Sequence, residues 1–542
     1  MKPAAYKRNY AAMAEQLRKI NPVPATPGPY SAFDEIDGSH PWKQAVPNGY
    51  IEYEARILRK SRVVYFNFNL AKEMGLIPQD HPHRITKKLE KKLIETFSLR
   101  IINEYDLLSG TKFPKKDIKP NKYMATRYLQ LQHDCRMGTT SGDGRSMWNG
   151  CFERNGVTWD VSSCGSGVTR LSPGSVQEGR PIRTGDQKVS YGSGLADVDE
   201  GLSAAILSES FHCRGIYTER TLLVIEGPQK GSSVNIRAAK NLIRPSHLFL
   251  HLKQGNYASL KSGVDHFIAR QINNREWRGS VSETTIYDEL VSQLAENYAR
   301  FAAQLEDEYI FCWLDWDGDN MLTNGGIIDY GSIRQLGLCH HHYRYDDVDR
   351  FSTNLREQKA KARYLIQTFA QLVEYVKTGK KQELSRFAKH PALSRFDKTF
   401  AQEKEVLFLR RLGLNSEQRK RLLHDRHDLV KQIFQAYTYF ERKESNRGLR
   451  NTADGVNHPV AYDVRYMLRE LPKRLLQGRP VGTVEFFNSN GIALHEQSVA
   501  QGNSSTEKKG GCIFIGVPKY YRFPRQENFT AQGTRRNDNA LK

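Results

Sequence analysis

Residues 317–331 read Asp-Gly-Asp-Asn-Met-Leu-Thr-Asn-Gly-Gly-Ile-Ile-Asp-Tyr-Gly. Residues 321–323 and 326–328 are short strand-like runs, and between them stands Asn324-Gly325, a strong hairpin signal. Closing that hairpin brings Asn320 and Asp329 together at its open end. An amide oxygen beside a carboxylate makes a pair of hard ligands suited to Mg²⁺. Asp319 precedes the first ligand and is placed to accept a proton from an attacking hydroxyl. Two blander readings stand beside this one. The stretch can be an acidic surface turn, or a calcium loop begun by Asp315, Asp317 and Asp319, although the bidentate glutamate that such a loop needs is missing downstream.

The surrounding chain is long enough for several structural units. Its 542 residues suggest about three or four units at ~150 residues each. A hydrophobic fraction of 39% supports a large core. The mean hydropathy of −0.63 and the lack of a long apolar run argue against a membrane-spanning helix. The first 20 residues are basic and mildly amphipathic, without the apolar core of a signal peptide. The seven cysteines include no CxxC pair, so neither a zinc knuckle nor a disulfide framework is indicated, and a cytoplasmic setting is expected. The net charge of +21 would attract nucleic acid, anionic lipid or nucleotides. Its basic residues are interleaved with acids, as where residues 87–92 are followed by Glu95, and no nucleic-acid motif appears. A basic enzyme without a nucleic-acid or membrane partner is the expectation.

Residues 1 to about 50, rich in Pro, Gly and Tyr, read as an extended lead-in. Residues 84–105 read as a helix with Leu89, Leu93, Phe97 and Ile101 on one face. From about 120 to 260 the chain is strand-rich: residues 146–151 and 157–161 flank a second hairpin signal, Asn155-Gly156, and residues 221–225 form another strand. Beyond 260 it turns helical. Thr285 and Asp288 open a helix whose apolar face carries Ile286, Leu290, Leu294, Tyr298, Phe301 and Leu305. Further helices are expected over 355–377, 416–442 and 462–476. The tail after about 480 is irregular and polar, with one apolar run at 512–517. The expected division is 1–115, an N-terminal extension; 116–260, a strand-rich nucleotide-binding lobe; 261–478, a helical lobe carrying the hairpin 317–331; and 479–542, the tail. The fold class is α+β, on a two-lobed plan.

Phosphate-binding signals lie in the strand-rich part. Gly142-Asp143-Gly144-Arg145 precedes the Asn155-Gly156 hairpin, and its glycines would let backbone amides approach phosphate while Arg145 adds charge. An ordinary turn is the competing reading. Arg237 and Arg244 near the junction of the lobes can fork onto phosphate oxygens, or can be no more than salt bridges.

Protein kinases use the same layout of a catalytic Asp, a metal-binding Asn, a hairpin, and a metal-binding Asp before Gly. More closely, several segments together resemble the selenoprotein O family of pseudokinase-fold protein adenylyltransferases. They are Gly142 to Arg145, Trp159-Asp160, Ser208-Glu209, Gly215 to Leu222, Arg237 with Arg244, and Asp317 to Gly331, in the family's order over about residues 120–345. The resemblance implies a protein-kinase-like fold and transfer of AMP from ATP to protein Ser, Thr or Tyr hydroxyls, with release of pyrophosphate. It implies that Asp319 is the base, that Asn320 and Asp329 hold Mg²⁺ or Mn²⁺, and that Gly142, Gly144, Arg145, Gly194, Arg237, Arg244 and Asp329 hold ATP. A kinase-fold phosphotransferase and a catalytically weak nucleotide-binding scaffold are the alternatives.

The chain departs from that family in places. The family's phosphate-contacting lysine falls on Cys164, and its glutamate partner falls near Ala204. The family's second Asp-Gly-Arg-Ala reads Ser193-Gly194-Leu195-Ala196. An insertion around 172–192 carries Arg180, Arg183 and Lys188, and Lys188 is a candidate to restore the charge, with Asp199 or Glu200 as partner. The chain ends Asn-Asp-Asn-Ala-Leu-Lys, so control through a selenocysteine or cysteine near the end, as in eukaryotic relatives, is not expected.

Overall fold

The computed structural model describes residues 28–478 except 132, 134–135, 187, 190–192, 278–284, 313, 332, 336–354 and 445–460, together with 482 and 486. The lead-in before 28 and the apolar run 512–517 lie outside the described residues. The architecture is α+β, built on an antiparallel sheet. Its strands are β1 (Tyr50–Tyr53), β3 (Arg62–Phe66), β5 (Tyr123–Thr126), β6 (Ser146–Arg154), β7 (Val157–Cys164), β8 (Ala196–Asp197), β9 (Arg220–Glu226) and β10 (Ser232–Ala239). They pair in the order β1-β5-β6-β7-β10-β9-β3, with β8 also on β10. A short ladder joins β2 (Ala55–Ile57) to β4 (Leu99–Ile101). The sheet therefore draws β1 and β3 from the region read as preceding the strand-rich lobe.

The β6–β7 hairpin turns at Asn155 (φ 55°) and Gly156 (φ 72°), the two left-handed positions that a tight hairpin demands. One face of the sheet buries Trp159, Val161, Leu223, Ile225, Val234 and Ile236 against Leu89, Leu93 and Phe97 of the helix Lys87–Phe97.

That helix corrects the expected one over 84–105. Thr86 caps it, accepting from Leu89 N, but it ends at Phe97, and Ile101 lies in β4 instead. Pairing with β2 outcompetes local helical periodicity in the run Leu99 to Ile101, where tertiary context overrides propensity. The lead-in is corrected as well. Within 28–50 the chain forms a 3₁₀ turn, Ser31–Glu35, and a helical turn, Trp42–Ala45, that bury Phe33 and Trp42 completely.

The helix Ile286–Asp307 buries the whole expected face, from Ile286 to Leu305. Leu355–Thr378 ends before Gly379 (φ 70°). The expected helix 416–442 is two helices, Ser416–Asp425 and His427–Arg442, and 462–476 appears as Val464–Leu476. The described residues form two compact units, one within 28–404 and the other from 405 onward. The second has its own core, with Phe408, Val430, Phe440, Tyr462 and Val464 buried together. All the site residues below belong to the first. No helix among the described residues is long and apolar enough to cross a membrane.

Candidate nucleotide site

The decisive stretch folds as a hairpin, β11 (Ile310–Phe311) leading into β12 (Met321–Leu322) and β13 (Gly326–Ile327), with Met321 opposite Ile327 and Leu322 opposite Gly326. The loop is three residues, not the two of Asn324-Gly325. Gly325 is left-handed (φ 83°) and donates to Leu322 O. Thr323 is drawn out of the ladder because both its N–H and its hydroxyl donate to Ile243 O (2.9 and 2.8 Å). Glu219 N donates to Ile327 O, so the start of β9 docks the hairpin onto the main sheet.

A cavity of about 720 Å³ opens beside the hairpin. Gly142, Gly144, Arg145, Cys164, Arg237, Arg244, Asp319, Asn320 and Asp329 all line it, drawn from segments up to 187 residues apart. Gly194 does not. Its neighbours Ser193 and Leu195 reach the cavity, while a Cβ on Gly194 would lie 2.3 Å from Val168 N. The other two glycines are also required by packing, since a Cβ on Gly142 would lie 2.1 Å from Thr126 O. Between them, buried Asp143 accepts from Thr126 N (2.9 Å) and Trp148 Nε1 (3.0 Å), which anchors the turn to β5 and β6.

Asp319 is buried at 3% exposure and tightly held. Arg244 Nη1 donates to its Oδ1 (2.6 Å) and its backbone oxygen (2.8 Å), and Gln130 Nε2 donates to its Oδ2 (2.7 Å). Burial pushes its pKa up, and Arg244 opposes that shift. Arg244 is therefore committed to the carboxylate, with its guanidinium 4.7 Å above the Tyr128 ring. The calcium-loop reading fails on geometry. Asp317 accepts from Leu131 N (2.8 Å) and Asp319 N (3.1 Å), and Asp315 accepts from Asn320 Nδ2 (2.8 Å). These carboxylates brace the turn. Burial, then the Asp319 charge, raises the Asp315 pKa to about 6.

With Nδ2 turned to Asp315, Asn320 has Oδ1 available as a ligand atom. Asp329 is left-handed (φ 74°), donates its N–H to Glu219 Oε1 (3.1 Å), and accepts from Gly331 N through Oδ1 (2.9 Å). Both residues offer hard oxygen to the cavity, and this donor set fits Mg²⁺ or Mn²⁺. Another ligand-like group, buried His40, Cys151 and Asp160, already contains a cation: Arg270 pairs with Asp160 and lies 3.4 Å from Cys151 Sγ.

A family model described as "Protein adenylyltransferase SelO" matches residues 51–462. The chain belongs to the SelO family. Its site residues all fall inside the matched range. Among curated relatives, a protein nucleotidyltransferase YdiU of Clostridium botulinum is 28% identical over 280 residues, covering 50% of this chain and 47% of the relative. One of Exiguobacterium sp. is 26% identical over 255 residues, covering 46% and 47%. The chain spans about half the length of the curated relatives it matches.

Within this SelO-family chain, the position expected to carry lysine is a thiol whose pKa burial pushes up. Lys188 does not replace it, being exposed and outside the cavity lining. The cation beside Cys164 is Arg145. Its two Nη atoms straddle the carboxylate of Glu200 (3.0 and 2.7 Å) on the helix Val198–Cys213, one turn before Ala204. A bidentate fork of this kind fixes the guanidinium plane. Glu219 pairs with Arg237 through charge alone, its Oε2 lying 3.2 Å from Arg237 Nη1, while Arg237 Nε donates to Ser162 Oγ. The β9–β10 register shifts between Ile236 and Arg237, where β9 carries one extra residue, Leu222. Glu219 and Gln130 were not legible as site residues, because nothing local marks them. The alternation of acid and base at Glu219-Arg220 is the one available hint, and Arg220 turns instead to Glu209 (2.7 and 2.8 Å).

Proposed function

We propose that the chain is a protein adenylyltransferase on a two-lobed kinase-like fold, acting in the cytoplasm. It moves AMP from ATP to a Ser, Thr or Tyr hydroxyl of a protein substrate. The observation that carries this reading is the convergence, on one cavity, of the hairpin carboxylates, the glycine turn and three arginines. The acceptor oxygen bonds to the α-phosphorus, the bond from that phosphorus to the bridging oxygen breaks, and pyrophosphate leaves. Asp319 takes the acceptor proton, and a raised pKa suits a base working near neutrality. Arg145 and Arg237, held in place by Glu200 and Glu219, face the phosphates. Asn320 and Asp329 would hold Mg²⁺, which neutralises phosphate charge when bound. Positioning and charge compensation are the main demands of such chemistry.

ATP labelled at the α-phosphate should label protein in the presence of Mg²⁺, with intact mass rising by one AMP per site. Label from γ-labelled ATP alone would overturn the reading in favour of a kinase. The metal pair gives a second test. Asp329→Asn is the suitable change, because Asn tolerates the left-handed backbone and keeps an acceptor for Gly331 N. Turnover should fall roughly a hundredfold or more, the scale of losing a preorganised electrostatic group, with the unfolding midpoint little changed. Full Mg²⁺-dependent activity in this variant would remove Asp329 from the site.

A further inference from the structure

Arg56 on β2 and Arg100 on β4 stand directly opposite each other in their ladder. Like charges at opposed positions repel. Among the described residues neither guanidinium has a hydrogen bond or an ion pair, and the Nε of each is buried without an acceptor. The charges of Asp106 and Asp117 act on Arg56, and that of Asp106 on Arg100, but each carboxylate makes its hydrogen bonds elsewhere. Asp117 pairs with Arg59, and Asp106 closes a capping box with Asn103. The two side chains are nonetheless held in place. The Arg56 guanidinium lies 4.3 Å from the centroid of the Phe113 ring. On β4, Leu99 and Ile101 enter the core, so Arg100 emerges on the opposite face. Its stem runs past Gly167, where a Cβ would meet Arg100 Cγ at 3.6 Å. Burial, then the Arg56 charge, lowers the Arg100 pKa to about 10. Neither arginine lines the cavity.

We infer that Arg56 and Arg100 form a second anion site, which takes a phosphate-type oxyanion, either inorganic or carried on a nucleotide. Two guanidinium forks present more donors and more charge than one carboxylate can satisfy. A bridging dianion with several acceptor oxygens would answer both forks and remove the repulsion. The inference is independent of the adenylyl-transfer reading.

The full chain is melted in phosphate-free buffer at constant ionic strength, then with inorganic phosphate, pyrophosphate, AMP or added sodium chloride. Saturating oxyanion should raise the midpoint by about 3 °C. That rise should be lost in Arg56→Gln/Arg100→Gln, which without phosphate should be at least as stable as the natural chain. The anion that gives a variant-sensitive rise at the lowest concentration identifies the source, inorganic or nucleotide. An equal rise in the double variant, or one reproduced by sodium chloride, would overturn the site. If the double variant does not fold, Arg100→Lys keeps the charge and loses the fork. Calorimetric titration with inorganic phosphate should then show about tenfold weaker binding, and unchanged affinity would reject the proposal.

Discussion

Asp319→Asn is expected to lower AMP transfer by roughly 10²- to 10⁴-fold, the range for loss of a positioned general base. The substitution is nearly isosteric, and its surroundings can absorb it. The new amide oxygen can still accept from Arg244. Gln130 can turn its own amide to the new Nδ2, since Gln130 Oε1 is buried without a partner. The variant should therefore remain folded, which separates loss of chemistry from loss of structure. The pH profile supplies a second readout. A base works when ionised, so kcat/KM should rise with pH through the Asp319 pKa, which burial places above the usual carboxylate range. Because Asp315 and Asp317 stand beside it, that limb belongs to the three carboxyls as a set. The limb should be lost or displaced in Asp319→Asn. A profile and rate identical to the natural chain's would show that Asp319 is not the base.

Arg244→Ala is expected to cost about 3–5 kcal/mol of folding stability, the scale for breaking a buried ion pair from one side. This is a larger effect on the fold than a pure phosphate ligand would have. Arg244 is 6% exposed, pairs with Asp319 at 2.6 Å, and begins the helix Pro245–Gln254, where its N–H donates to His247 Nδ1 (3.0 Å). Urea denaturation measures the loss. The double variant Arg244→Ala/Asp319→Asn should be less destabilised than the sum of the single changes, since the unpaired carboxylate is then absent. Strict additivity would show that the pair is not coupled. Any residual activity of Arg244→Ala should need higher pH, because the cation opposing the rise in the Asp319 pKa is gone.

The elements that could be read directly were those whose signals are local. Asn155-Gly156 marks a turn because both residues tolerate left-handed backbone. The 3.6-residue spacing from Ile286 to Leu305 marks one face of a helix, and that face is buried throughout. Residues 317–331 carry a hairpin signal with acidic and amide groups at its mouth, and the folded chain forms that hairpin and places Asp319, Asn320 and Asp329 on one cavity. The fold departs from local preference where a distant partner outweighs it. Helical spacing continues through Ile101, yet β2 captures Leu99–Ile101 as a strand. The Asn324-Gly325 turn gains a third residue because Ile243 O takes both polar groups of Thr323.

Residue type and short-range spacing suffice for the α+β class, for the hairpin and for a set of candidate phosphate-binding residues. Which charges meet depends on the folded chain. Arg145 pairs with Glu200 across 55 positions and Gln130 with Asp319 across 189, while Lys188 stays outside the cavity. Electrostatic partnership depends on distance and burial in space, and a linear sequence encodes neither until the sheet and helices have closed around the cavity.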